Sequence, residues 1–359
     1  MTGGERRLEA PHRRGGASPR IVERSVVLAY RATAWVLRTV PARPAGALIG
    51  LGAQASYLLW PTKRRWSNRN FGHVLGLPPD HPRVRRLALR AYRVYGDYLV
   101  ELMRVPFMTT EEVVGLIEPL DLAEVEQMRA SAPEGGIICT VGHVGSNDAI
   151  GAAIAHLGLH LNAVADDSSF PELFDLLKRQ REQWDATIIP WRNLRAIFGV
   201  LRRRELLALL VDWGYRSDGI PVTLFGAWTT LPAGPATLAA KTKSRVVPII
   251  TTRQPDRRLH VTWADPIEVA SMDPADLQRA TQRIADALAV TIGQAPEEWY
   301  SFKPMWPATA EEAADLERRA REMQAGRPDP GPATTLERDP DDQRPGDQVP
   351  DVERPVPAQ

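Results

Sequence analysis

The chain has 359 residues, with 45 Lys and Arg against 44 Asp and Glu for a formal net charge of +1, and a single cysteine. This length allows one large or two ordinary domains with a sizeable core; the neutral balance excludes a general nucleic-acid coat, and one cysteine excludes an intramolecular disulfide framework and a multi-Cys zinc or iron–sulfur centre. No run of eighteen uninterrupted strongly apolar residues occurs, which excludes a polytopic membrane protein.

Neutrality conceals an asymmetry. Residues 1–105 hold nineteen Lys and Arg against six Asp and Glu, whereas the stretch from Pro307 onward holds seven against thirteen. Residues 1–20 are too charged for a secretory signal and lack an apolar h-region, so they read as a disordered start on the cytoplasmic side. Residues 21–66 interleave apolar and aromatic side chains with Arg24, Arg31, Arg38 and Arg43 and close on Lys63-Arg64-Arg65. Such a segment suits the interface of an anionic membrane, with Trp35, Tyr57, Trp60 and Trp66 at headgroup depth. Two alternatives stand beside that reading. One is a single crossing over the charge-free stretch 44–62, diluted by Gly46, Gly50, Gly52, Gln54 and Ser56; the other is an amphipathic helix pair packed on the protein's own core.

Over 83–107, Leu87, Ala91, Tyr95, Leu99 and Met103 recur at helical spacing with arginines opposite. The whole of 21–118 is therefore expected as a basic, helical, membrane-facing region. Beyond it, short apolar runs at 136–141, 161–165, 186–190, 206–212, 221–225, 246–251 and 259–264 alternate with helical stretches at 148–157, 170–183, 191–204 and 234–243, and with a long helix opened by Asp273-Pro274. That alternation predicts an α/β core over 119–306, a mostly parallel central sheet flanked by helices. A C-terminal helix is expected over 307–325. Residues 326–359 carry eight of the 31 prolines and almost no large apolar side chain, so they read as a disordered acidic tail.

The stretch 136–158 carries the chemistry. An apolar strand ends at Val141, Gly142 permits a tight turn, His143 follows, and Ser146-Asn147 caps a helix whose first turn includes Asp148. Ligands of open α/β sheets bind at the carboxyl ends of strands. The four intervening residues allow Asp148 to fold back on His143, fixing the ring's tautomer and supporting the imidazolium formed when the other nitrogen takes a proton. This is a base and its orienter without a built-in nucleophile, and N–H groups of the helix start are placed to stabilise an oxyanion. The bland reading is a hydrogen-bonded loop histidine and a first-turn aspartate favoured by the helix dipole.

The His143/Asp148 pair, Val164-Ala165-Asp166, Arg181 fifteen residues later, the strand leading to Asp212, DGIPVTLFG at 218–226, LPAGPATLAAKT at 231–242, VVPI at 246–249 and PEEWYSFKPMW near 296–306 together resemble the bacterial lipid A biosynthesis late acyltransferases and the related phosphatidylinositol mannoside acyltransferase. The resemblance covers about 21–306. It implies a glycerolphosphate acyltransferase-like fold and acyl transfer from a thioester, on coenzyme A or acyl carrier protein, to a hydroxyl of a membrane glycolipid. His143 would be the general base and Asp148 its orienter, with no acyl-enzyme. Asp166, Arg181, Asp212 and Gly234 are expected to serve substrate binding, Asp166 and Arg181 by pairing with each other or by meeting donor or acceptor phosphates. The expected location is the cytoplasmic face of the cell membrane, peripheral or singly anchored, with neither cofactor, metal nor nucleic acid.

Two departures stand out, Thr223 where the mannoside type carries glutamate and Gly214 where it carries a second aspartate. They motivate an alternative, a catalytically reduced membrane-binding scaffold with the same fold. A hydrolase would need an activated nucleophile, and no Gly-x-Ser-x-Gly elbow occurs, since Ser146 follows Gly145 directly. Cys139 lies mid-strand and reads as a buried thiol.

Overall fold

The computed structural model describes residues 17–132, 134–166 and 170–333, without the side chains of residues 17–20 and 22. Of the segments expected to be disordered, 1–20 and 326–359, residues 1–16 and 334–359 lie outside the described residues. Residues 17–20 are already helical, so the first element starts before the predicted boundary.

Four helices make the N-terminal arm: α1 (Ala17–Leu37), α2 (Ala42–Leu59), α3 (Pro61–Leu75) and α4 (Pro82–Arg104). The charge-free stretch at 44–62 is broken because Pro61 starts a new helix after Trp60. Among the described residues no helix is long and apolar enough to cross a membrane. α2 lies against α4 through small residues. A Cβ on Gly96 would come within 2.6 Å of the Gly46 carbonyl oxygen and the Gly50 Cα, so only glycine lets the two backbones approach this closely. Polar pins add to the contact, Arg93 Nη1 donating to the Gly46 carbonyl and Gln54 Nε2 to the Leu89 carbonyl, both at 2.9 Å. α4 buries Val84, Ala88, Ala91, Tyr92, Gly96 and Val100, a face rotated from the predicted Leu87–Met103 row because the small side chains go where α2 comes near.

After a 3₁₀ turn at Val105–Phe107 come two short helices that the sequence pattern did not suggest, α5 (Thr110–Val114) and α6 (Leu122–Ala130). The core then alternates β1 (Ile137–Val141), α7 (Asn147–His156), β2 (Leu161–Ala165), α8 (Pro171–Glu182), β3 (Thr187–Pro190), α9 (Leu194–Arg202) and β4 (Leu206–Leu210). It continues through β5 (Ile220–Leu224), β6 (Ala227–Leu231), α10 (Gly234–Thr242), β7 (Arg245–Arg253), β8 (Leu259–Trp263), α11 (Pro274–Gln294) and α12 (Ala310–Gln324).

The central sheet has the order β3-β2-β4-β1-β7-β8. Its first five strands are parallel, and β8 closes the edge antiparallel to β7. β1 is buried along four of its five residues, as helices covering both faces require. The 221–225 run is not a member of this sheet. It is β5, which pairs antiparallel with β6 as a separate hairpin and packs on α11. The tail also starts later than predicted. Asp329 takes both Nε and Nη2 of the buried Arg319, at 2.8 and 2.6 Å, and its Oδ1 accepts the Gly331 N–H at 2.9 Å, so residues 326–333 fold back on α12.

Candidate active site

β1 and β4 are neighbours, with Val141 paired to Leu210, so the residues just beyond their carboxyl ends meet. Those residues are His143 and Asp212. The His143 Nδ1 lies 2.6 Å from Asp212 Oδ1, and the His143 backbone N–H donates to Oδ2 at 2.8 Å. A carboxylate only accepts, so Nδ1 carries the proton and Nε2 presents its lone pair. Asp212 is fully buried. Burial by itself would raise its carboxyl, but the His143 ring and the N–H donors from His143 and Trp299 outweigh that and hold it below the usual aspartate value. The group needed to keep the ring oriented is therefore ionised at neutral pH.

This corrects the expected partner of His143. Asp148 points the other way, its Oδ1 accepting from Arg181 Nε at 2.7 Å. The reason is the direction of α7: with Asn147 as its first residue, Asp148 sits in the first turn and faces the last turn of α8, where Arg181 waits. Burial disfavours the Arg181 charge, yet the adjoining Asp148 carboxylate, with Tyr98 and Tyr30, leaves the guanidinium more firmly protonated than usual. Tyr30 of α1 donates to Gln180 at 3.0 Å, so the ion pair ties α7 and α8 to the arm. Arg181 accordingly pairs with Asp148 rather than with Asp166. Asp212, expected to bind substrate, has both oxygens committed to His143 and Trp299 and acts on the ring instead.

Asp166 follows β2, the strand on the other side of β4, and so lies along the same edge as Asp212 and His143. Gly234 opens α10, exposed and with open space where a Cβ would stand; the preceding Ala233 provides no side-chain cap. This corner borders a recess of about 220 Å³ lined by Trp213, Arg216, Asp218, Thr230, Pro232 and Ala233 among others. Trp213 connects the recess to His143, its ring 5.5 Å from that of the histidine and tilted by 40°. Arg216 forks onto Asp218 at 3.0 and 3.1 Å, and Thr230 pins the same loop by donating to the Arg216 carbonyl at 2.6 Å.

One contributor had no assigned role in the sequence reading. Trp299 is fully buried and donates its indole N–H to Asp212 Oδ2 at 2.8 Å, while the Ser301 hydroxyl donates to the Asp212 carbonyl at 2.9 Å. The available signal was PEEWYSFKPMW, whose distance from Asp212 along the chain hid the contact.

The family profile described as bacterial lipid A biosynthesis acyltransferase matches residues 17–307. The chain belongs to this family. It is 27% identical over 302 residues to a phosphatidylinositol mannoside acyltransferase of Mycolicibacterium smegmatis, covering 82% of this chain and 94% of that relative. A phosphatidylinositol mannoside acyltransferase of Mycobacterium tuberculosis is 25% identical over 266 residues, 70% of this chain and 80% of the relative. The match starts at α1 and ends just past Trp306, so in this acyltransferase the helical arm, the sheet and the segment carrying Trp299 make up the family unit, with α12 outside it.

One of the two departures, Gly214, has a local cause in this acyltransferase. Gly214 has φ +125°, a conformation L side chains rarely adopt, and a Cβ there would stand 3.3 Å from the Pro304 carbonyl oxygen. The backbone requires glycine. Thr223 faces α11, its N–H donating to Gln282 Oε1 and its carbonyl accepting from Gln282 Nε2, both at 2.9 Å. Neither position touches the His143–Asp212 pair. Asp218, which lies between the two positions along the chain, is bonded to Arg216 at the surface. Burial pushes the Cys139 thiol up to about 12, which makes it a poor nucleophile.

Proposed function

We propose that this acyltransferase moves a fatty acyl group from an acyl thioester, on coenzyme A or acyl carrier protein, to a hydroxyl of a membrane glycolipid of the phosphatidylinositol mannoside or lipid A precursor type. The observation that carries the mechanism is the His143–Asp212 contact at the carboxyl edge of the sheet. Nε2 of His143 takes the proton of the acceptor hydroxyl as its oxygen bonds to the thioester carbonyl carbon. The tetrahedral intermediate then expels the thiolate, which recovers the proton from the imidazolium and leaves as a thiol. Asp212 holds the tautomer and supports the transient imidazolium. N–H groups in the uncapped first turn of α7 are suited to the oxyanion. The names of the relatives favour a mannoside acceptor.

The arm supports peripheral attachment to an anionic membrane on its cytoplasmic face. On α1, Ile21, Leu28 and Trp35 recur every seven residues and are exposed, Trp35 by 70%; on α2, Leu48, Leu51, Leu58 and Leu59 are exposed, and Trp60 by 58%. Arg31, Arg38, Arg43 and Arg65 accompany them, the combination that inserts apolar side chains while meeting lipid phosphates.

The test is transfer by the purified chain with acyl-coenzyme A and membrane glycolipid extract. His143→Ala is expected to abolish transfer while keeping the thermal unfolding midpoint. Unchanged transfer overturns the mechanism, and a folded parent that binds vesicles but turns over no thioester favours the scaffold reading instead.

A further inference from the structure

Residues 298–301 form a strap across the catalytic loop. The Gly145 N–H donates to the Glu298 carbonyl at 3.1 Å, and the Tyr300 N–H donates to the His143 carbonyl at 2.8 Å. The strap is anchored on both sides. Before it, the Glu298 carboxylate takes Arg253 Nε at 2.8 Å, and Arg253 in turn holds Glu101 of α4 through two bonds at 2.8 and 3.0 Å. After it, Asn70 of α3 donates to the Ser301 and Lys303 carbonyls at 3.0 and 2.6 Å and accepts the Met305 N–H at 3.1 Å. The Trp299 ring is wedged edge-on between Phe71 and Trp306, with centroids 5.9 and 6.4 Å away.

Trp299 is thus rigid, and it spends its one polar atom on Asp212. A carboxylate turning about its Cβ–Cγ bond offers either oxygen to the imidazole in any plane. Here Oδ2 receives two N–H donors, the Trp299 indole and the His143 amide, each at 2.8 Å. That fixes Oδ1 on Nδ1. The indole is also a neutral donor that does not titrate, so it draws charge from the carboxylate and weakens it as an acceptor toward His143 Nδ1.

We propose that Trp299 is a positioning residue for acyl transfer, setting through Asp212 both the orientation and the basicity of His143. The proposal rests on His143 being the base. The charged and titratable groups around the pair are Lys303, whose ammonium lies 4.0 Å from the Trp213 ring centroid, the Glu298–Arg253–Glu101 network with Tyr300 on the strap, and the Asp148–Arg181 pair on α7 and α8. Replacing the indole by a phenyl ring changes the charge of none of them.

The experiment compares pH profiles of kcat and KM for the full chain, its Trp299→Phe variant and a packing control, Trp306→Phe. Trp306 is a neighbouring buried indole whose N–H has no hydrogen-bond partner in the structure. Trp299→Phe keeps a ring in place and removes the donor, so the carboxylate becomes a stronger acceptor and stabilises the imidazolium more. The acid limb is expected to move to higher pH by about half a unit to one unit, with kcat lowered about tenfold, the scale of one hydrogen bond to a charged group, and KM unchanged. Trp306→Phe should leave the limb in place. A folded Trp299→Phe enzyme with parental kcat and limb, or a limb moved equally by Trp306→Phe, overturns the proposal. If Trp299→Phe does not fold, Ser301→Ala decides. It removes the hydroxyl that holds the Asp212 backbone and should lower kcat a few-fold at constant KM; an unchanged kcat overturns the strap's role. Active His143→Ala enzyme would instead remove the reading of the base, a separate outcome.

Discussion

Asp212→Asn exchanges one carboxylate oxygen for an amide NH2 at nearly constant shape, and the surrounding donors dictate which way the amide turns. The Oδ2 site receives the His143 and Trp299 N–H groups at 2.8 Å each, so the asparagine oxygen must go there. Its NH2 then occupies the Oδ1 site, 2.6 Å from His143 Nδ1. An NH2 group only donates, so Nδ1 must become the acceptor and the ring proton moves to Nε2. In the proposed mechanism His143 then loses the lone pair that would take the hydroxyl proton. General base catalysis contributes about 10²–10⁴-fold, and transfer at pH 7 should fall by that factor. Stability should fall by about 1.5–3 kcal/mol, the contribution of a hydrogen bond to a buried charge. The pH dependence has a defined sign. Asp212 is held below the ordinary aspartate value, so its stabilisation is complete above the unfolded-state pKa of about 3.9 and disappears as pH falls through the lower folded value. The asparagine variant should lack that acid component. Thiol release from acyl-coenzyme A with glycolipid in mixed micelles, together with urea unfolding across the acid range, measures both effects. A folded variant that transfers at the parental rate refutes the argument.

Other perturbations follow from the same geometry. Asp148→Ala leaves the Arg181 guanidinium without its partner and should cost about 3 kcal/mol, the low end for breaking a buried pair because Arg181 keeps part of its surface in water; urea midpoints of the two single variants and the double variant measure the coupling. Gly214→Asp places a carboxylate on a backbone with φ +125°. It should lower Tm by the equivalent of about 1–3 kcal/mol without raising transfer, and a faster variant would show that the absence of a carboxylate at 214 limits activity. The double variant Trp35→Glu, Trp60→Glu should weaken sedimentation with anionic vesicles at least tenfold while leaving Tm in place, because each indole presents up to about 150–250 Å² at about 25 cal/mol per Å² to the interface. Parental sedimentation would remove the arm from the membrane contact.

The legible parts of the site were local. His143 after an apolar strand, and the alternation of strands and helices, are written in neighbouring residues, and six of the seven predicted runs are strands of the central sheet, five in its parallel body and 259–264 as its antiparallel edge. Asp148 misled because proximity along the chain suggested a partner that the direction of α7 carries toward Arg181 instead. The pattern at 221–225 specifies an extended strand but not its sheet, because a strand's residues do not say which strand it will pair with. AWTTL at 227–231 carries a weak apolar pattern because Thr229 and Thr230 interrupt it, although its pairing with β5 makes it a strand.

By itself the sequence determined the α/β character, the basic aromatic arm, the histidine at a strand end and the family signature, since each is a matter of local pattern. Only the tertiary structure decided the partner of that histidine. The strand order puts β4 beside β1, bringing Asp212 to His143 across 69 residues of chain, and the return of the strap brings Trp299 to Asp212 across 87. Such contacts depend on sheet order and on the path of the closing segment, which are fixed by the joint burial of the whole core rather than by any one stretch of residues.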